Sequence, residues 1–450
     1  MLFNSPPFLL LFLPLSALLF FWRPLRRWRL PIVTVLSLLF YDISAGDKQL
    51  GILIGCIAWV YIISNSPKAQ GNGRRLAAAL VVPAAVLVYF KYAAFLLTTI
   101  GFPNVLPSGK GGIPAGISFY VFHLASFAID RYRGDIVTRP SPATFATYVG
   151  FFPQLIAGPI TRFRQVGENI AKLPAFVSTS ETVWGGTAMF AVGMGAKLLL
   201  ADPLMSFVDP LLQKVGDLDR LAAAYAMLGY SFHIYFDFYG YSMMAMGLGM
   251  AFGVPLPRNF DRPYLSRNPK EFWRRWHMTL SFWIRDYLYV PLGGNAHYTR
   301  NIIIVFAACG LWHGAGWNFI VWGVYHGFLV LTYSATRNLW DRLPAVAAQA
   351  LTFALVTLGW PLFALDLTSF GHLVTAVVMG SGSASPVVAG TGWLLLTIAA
   401  LVTFLLDTDR LARPETAGPS YIVRQMALAA VTLLALTLVE GSRPFIYFQF

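Results

Sequence analysis

His313 is the residue whose surroundings best suit proton chemistry. It lies in Gly310-Leu-Trp-His-Gly-Ala-Gly-Trp-Asn318, between two apolar stretches. A neutral imidazole, with an ordinary pKa near 6.5, can take the proton of an attacking alcohol. The three glycines let backbone or substrate come close. Trp312 and Trp317 supply pocket walls or interfacial anchors, and Asn318 follows as a polar group. The same pattern also fits a packing histidine bonded to a backbone carbonyl.

His277 lies in the stretch from Glu271 to Tyr287, which Lys270 precedes and where Arg274, Arg275 and Arg285 alternate with Trp273, Trp276 and Trp283. Read as one helix, it sets Trp273, His277 and Ser281 on one face at i, i+4 spacing. The mixture suits a helix lying on a membrane surface. It equally suits the rim of a site for an anionic or thioester donor. His326 follows His313 by thirteen residues. On one continuous helix the two lie about 140° and roughly 20 Å apart, so they cannot share one hydroxyl unless the helix breaks. His233 stands four residues before Asp237 and reads as an intrahelical pair, structural before functional.

Other chemistries lack their residues. No HExxH or similar zinc spacing occurs, and Cys56 and Cys309 both lie in apolar runs, so no metal site and no disulfide framework is expected. There is no GxSxG elbow, Walker A loop or GxGxxG turn to support serine hydrolysis, ATP-driven transport or dinucleotide chemistry.

These residues need elements to hold them, and composition says which kind. The 450 residues include 33 Lys plus Arg and 20 Asp plus Glu, and only 12% are charged. A soluble protein carries about 25%. Hydrophobic residues make up 57%, and mean hydropathy is +0.61. The chain therefore reads as an all-α polytopic membrane protein. Stretches at 7–22, 50–64, 76–100, 113–129, 182–201, 302–312, 317–333, 346–365, 393–406 and 425–439 suit spans, and 221–252 holds one bent or two short spans. That makes about 11 transmembrane helices. The shorter 31–41 and 144–156 fit re-entrant or interfacial segments. The first stretch lacks a charged leader and an Ala-x-Ala cleavage site, so it reads as a retained span. No polar stretch is long enough for a soluble domain, so 1–450 reads as a single membrane-embedded domain. The net charge of +13 is placed by the positive-inside rule. Arg23, Arg26, Arg27 and Arg29, and the later group from Arg258 to Arg275, would face the cytoplasm. Nucleic acid is excluded as a partner, because no basic segment is free of spanning flanks.

Several separated segments together resemble the membrane-bound O-acyltransferases, and in particular the bacterial alginate O-acetyltransferase branch. They are Tyr89-Phe-Lys-Tyr92, Gly116-Ile-Ser-Phe-Tyr120, Pro153-Gln-Leu-Ile-Ala-Gly-Pro-Ile160, Asn259-Phe-Asp-Arg-Pro-Tyr264, the Glu271–Tyr287 stretch with its Trp-His-Met-Thr-Leu-Ser, Pro291-Leu-Gly-Gly-Asn295, Leu311-Trp-His-Gly-Ala315 and the terminal Pro444-Phe-Ile-Tyr-Phe-Gln-Phe450. The resemblance departs at Ala296–Arg300, an abbreviated basic stretch, and at Trp360-Pro-Leu-Phe-Ala364, which lacks a terminal Arg.

The resemblance implies a ring of tilted helices around a central tunnel in the bacterial inner (plasma) membrane, crossed in many passes. It implies transfer of an acyl group, most simply acetyl, from a cytoplasmic thioester to hydroxyls of an extracytoplasmic polysaccharide such as alginate. The transfer would be direct or through a periplasmic acetyltransferase or hydrolase-like partner. It puts the catalytic histidine at His313 and the second polar position at His277. Trp276, Ser281, Trp312 and Asn318 are the expected tunnel residues, with Arg274, Arg275 and Lys270 toward the donor's phosphates. No bound cofactor is expected. The co-substrate is an acyl thioester, acetyl-CoA or acyl-carrier phosphopantetheine, and membrane lipid is the surrounding partner. Two rival classes remain at this point: a polytopic transporter, suggested by intramembrane His and Asp, and a membrane scaffold for a periplasmic transferase.

Overall fold

The computed structural model describes residues 1–66, 69–102, 113–380, 388, 390–411, 419–439 and 443–445. The described residues form helices and turns with no strands. Backbone groups in a bilayer must be satisfied within the chain, and helices do this locally. Five helices are long and apolar enough to span: Arg23–Ala45, Gly73–Thr99, Ser180–Leu212, Trp317–Trp340 and Ala345–Phe363. Five shorter apolar helices accompany them, among them Phe8–Phe21, Lys48–Ser64 and Gly390–Leu405. Against an expectation of about 11 transmembrane helices, five among the described residues have full spanning length. The stretch 31–41, expected to be re-entrant, belongs to one of these five because the helix starts further back, among the arginines. The stretch 221–252 is one unbroken helix, Arg220–Ala251. A helix at Leu367–Met379 was not foreseen.

The chain falls into two compact units. One comprises Met1–Phe190 with Tyr241–Pro257, the other Ala191–Gly240 with Arg258–Phe450. The first has an aromatic core in which Phe8, Phe12, Phe40 and Phe152 pack ring to ring at 5.5–6.4 Å. Arg29, counted above among the loop arginines, is instead buried in this unit, and its guanidinium donates to the Phe20 carbonyl at 2.8 Å.

The second unit holds every candidate site residue. Its central device is a helical hairpin, Tyr298–His313 turning through Gly314–Gly316 into Trp317–Trp340. A Cβ on Gly310 would collide with the Phe319 carbonyl, and one on Gly323 with that of Phe306. Small residues here let the two backbones touch, as they do between membrane helices generally. The pairing 310 with 319 and 306 with 323 shows that the helices run antiparallel.

The same unit buries an ionic cluster. Lys197 lies in a π-helical turn, Ala196–Ala201. Its ammonium meets Asp202 at 2.7 Å and Asp237 at 2.5 Å. Gly240 makes this possible, since a Cβ there would press on the Gly193 carbonyl and the Lys197 backbone. Asp237 is thus committed to Lys197. His233, read above as its intrahelical partner, turns instead to the Ala201 carbonyl through Nδ1 at 3.0 Å.

Candidate active site

The Glu271–Tyr287 stretch is not one helix. Asn268 caps a short helix, Pro269–Arg275, by accepting from the Glu271 N–H at 2.8 Å, with Pro269 in the first turn. That helix ends at Trp276. His277 then adopts a left-handed backbone, φ 44° and ψ 52°, before Met278–Ile284 resumes. A non-glycine residue there costs about 1–2 kcal/mol, so the surroundings must hold it. Asn259 does so. Its backbone carbonyl accepts from Met278 N at 2.9 Å. Its side-chain Oδ1 accepts from Thr279 Oγ1 at 2.9 Å and lies 3.0 Å from His277 Nδ1. The Thr279 backbone N–H also reaches Oδ1, at 3.4 Å. A backbone N–H can only donate, so this atom is an oxygen, and Nδ1 must carry the proton. Nε2 is then the lone-pair nitrogen of His277.

The break does not scatter the face expected of a continuous helix. Trp273, His277 and Ser281 still line one cavity of about 410 Å³. Ser281 Oγ ties across the break to the Trp273 carbonyl at 3.2 Å. Lys270, Arg274, Trp276 and His313 line the same cavity. The imidazoles of His277 and His313 stand 6.5 Å apart between ring centroids. Both are buried. His313, the last residue of its helix, is packed by Trp312 at 4.9 Å, Trp322 at 5.2 Å and Phe363 at 5.0 Å.

The cavity runs along the Tyr298–His313 helix, which rises about 22 Å over that length at ~1.5 Å per residue. Tyr289, Asn295 and Tyr298 line the end away from His313. Lys270 Nζ lies 5.9 Å over the Tyr298 ring. A second opening of about 600 Å³ shares Lys270, Arg274, Asn295 and Tyr298, and adds Arg337 and one carboxylate, Glu271, so three cations face one anion there. The entrance is therefore basic, the shaft is walled by Ile302, Val305, Phe306 and Ile284, and the imidazoles stand at the deep end. No carboxylate lines the shaft among the described residues. Arg275, grouped above with the donor-facing cations, pairs with Glu271 at 2.7 Å and is not in the wall. Arg258 is taken up by Asp261 and Asp409. Lys270 and Arg274 are exposed at the mouth.

Two expected tunnel residues lie outside this wall. Trp312 is buried against both imidazoles, 6.1 Å from His277 between centroids, and so acts as their packing. Asn318 donates to the Leu362 carbonyl at 2.8 Å, fastening the hairpin to the 3₁₀ turn Trp360–Phe363. His326 is buried among Trp273, Trp322 and Trp360 at 4.9–5.9 Å and does not line the cavity. The helix argument that set it far from His313 does not apply, because the chain reverses at Gly314–Gly316. The two histidines in fact flank the same indole, Trp322. Sequence reasoning gave no role to Asn259 or Phe363. Asn259 stood in a quoted motif, but its contact with His277 crosses 18 residues.

The site is a buried pair of imidazoles at the end of a basic-mouthed apolar shaft, in a chain with helices long and apolar enough to cross a membrane. The model of the membrane-bound O-acyltransferase family matches residues 74–365, and the chain belongs to that family and is an O-acyltransferase. It is 38% identical over 383 residues to the probable alginate O-acetylase AlgI of Azotobacter vinelandii, covering 81% of this chain and 75% of that protein. It is 32% identical over 409 residues to the peptidoglycan O-acetyltransferase of Helicobacter pylori, covering 81% and 77%. It is also 32% identical over 227 residues to the teichoic acid D-alanyltransferase of Streptococcus thermophilus, covering 47% and 54%. The transporter and scaffold classes are thereby set aside.

Proposed function

We propose that the protein transfers acetyl groups from a cytoplasmic thioester to hydroxyls of an extracytoplasmic polysaccharide of the alginate kind, at the bacterial inner membrane. The observation that carries this reading is the convergence of His277 and His313 at the deep end of one basic-mouthed cavity. Lys270 and Arg274 draw in the phosphates of the donor, either acetyl-CoA or a carrier-bound phosphopantetheine. The apolar shaft takes the thin pantetheine arm, whose extended length is comparable with the helix that lines it. The positive-inside rule puts this mouth on the cytoplasmic face.

At the deep end the acceptor oxygen attacks the thioester carbonyl, its proton passes to His313, and the C–S bond breaks to release the thiol, which takes the proton up. A positioned base of this kind contributes about 10²–10⁴-fold. Because Asn259 holds the Nδ1–H of His277, its Nε2 accepts rather than donates. That favours His277 as a proton relay over a donor to the carbonyl. A periplasmic acetyltransferase or hydrolase-like protein is the proposed next carrier where transfer to the polymer is not direct.

The test is transfer by purified protein in vesicles, with acetyl-labelled CoA or acyl-carrier on the donor side and alginate oligosaccharide on the other. Base-labile label on the saccharide is expected. Donor consumed with no ester formed on any saccharide or partner would contradict the reading.

A further inference from the structure

His313 has a second cavity behind it. The Phe363 ring lies 5.0 Å from its imidazole and 4.8 Å from Trp322, between centroids. Phe363 also lines a separate cavity of about 410 Å³, together with Asp209, Gln213, His233 and Arg443. Among the described residues none lines both cavities: His313 belongs to the first and Phe363 to the second. Phe363, which touches the imidazole and lines the second chamber, therefore stands between them.

That ring is held in place. It ends the 3₁₀ turn that Asn318 fastens through the Leu362 carbonyl, and it rests on Phe319 at 5.4 Å. Phe363 itself is buried. The two cavities differ in chemistry. The shaft is apolar, whereas the second chamber offers fixed polar groups. The Arg443 guanidinium is held by Asp209 at 3.1 Å. His233 donates from Nδ1 to Ala201, which leaves Nε2 as its acceptor nitrogen. Such a chamber suits a polyhydroxylated acceptor, and it also suits water.

Water is the competing nucleophile. If its oxygen attacks the thioester carbonyl, the C–S bond breaks, and carboxylate, thiol and one proton result with no transfer. Excluding water from a reactive acyl group is a recognised task of a closed site. We propose that Phe363 is a water-excluding partition, which separates the thioester from the acceptor chamber and makes donor consumption depend on an acceptor entering. The proposal rests on the acyl-transfer reading above.

The experiment measures thiol release from acetyl-CoA and acetyl-pantetheine by the purified full-length protein without acceptor, in ¹⁸O-labelled water. Phe363→Ala is expected to raise acceptor-independent release by about tenfold, with ¹⁸O appearing in the acetate. Phe363→Leu should give a smaller rise and Phe363→Trp none. Adding His313→Ala to Phe363→Ala should abolish the rise, placing the leak at the same centre. Large-to-small changes in a core can unfold a protein, in which case Phe363→Leu decides. Folded Phe363 variants that leak no more than wild type, while wild type still forms ester, would overturn the partition and leave acyl transfer standing. A wild-type protein that neither consumes donor nor forms ester would overturn both.

Discussion

Two clusters of buried polar side chains lie in the same unit and differ in what satisfies them. Around Lys197, the ammonium and its two carboxylates satisfy one another at 2.5–2.7 Å, and the Arg443 backbone N–H adds a bond to Asp202 at 3.1 Å. Around His277 and His313 no carboxylate stands among the described residues. The imidazoles are framed by Trp312, Trp322 and Phe363 and open on a cavity. A buried charge completed by protein groups contributes to the fold. Buried polar groups that face a cavity are oriented for a substrate. Mutation should separate the two regions, one failing in stability and the other in rate.

The largest effect is expected at the ionic cluster. Lys197→Met leaves two carboxylates uncompensated, and breaking a buried pair in this way costs about 3–5 kcal/mol. Thermal unfolding in detergent should show a protein that is poorly folded or absent. A Lys197→Met protein with wild-type stability and lost activity would instead move this cluster into the chemistry.

At the reacting centre, His277→Ala is expected to lower kcat by about 10²-fold, at the low end for a proton-transferring group, with the melting transition retained. Asn259→Ala should act through His277 and cost less, about tenfold, the equivalent of roughly 1.4 kcal/mol of lost orientation. Asn259→Asp keeps an acceptor for Nδ1–H, so it should recover part of that loss. A merely structural role would show no such rescue. The smallest effect belongs to the mouth. Replacing Lys270 and Arg274 by Ala should raise the donor KM by a few-fold and flatten its salt dependence, leaving kcat unchanged. A fall in kcat at constant KM would put these two cations in the chemical step.

How far the sequence anticipates this site follows from the range of the interactions. Composition alone identifies a membrane protein, and the glycines around His313 mark a place where backbones touch. Local pattern also placed Trp273, His277 and Ser281 together, though for the wrong reason. A helical face was assumed, whereas a break at His277 and a bond from Ser281 to Trp273 bring them there. The break was not legible because its cause lies elsewhere: Asn259, 18 residues earlier, supplies the bonds that stabilise a left-handed histidine. A continuous helix sets His326 far from His313, and the reversal at Gly314-Ala315-Gly316 is what brings both to one indole. The resemblance puts Trp312 and Asn318 in the tunnel, but no local pattern says which side of a hairpin a third segment meets. Here the Trp360–Phe363 turn meets Asn318 and His313. The two departures from the family pattern fall at instructive places, Asn295 and Tyr298 beside the abbreviated stretch at the mouth of the shaft, and Phe363 and Ala364 in the wall of the second chamber.

The central claim is that His313 removes the acceptor's proton, and the most direct measurement is acceptor-dependent thiol release by purified His313→Ala protein whose unfolding transition matches wild type. The account predicts a fall of about 10²–10⁴-fold in ester formation, with donor binding at the Lys270 and Arg274 mouth retained. Near-normal turnover by that folded variant would contradict it and leave His277 as the better candidate for the base.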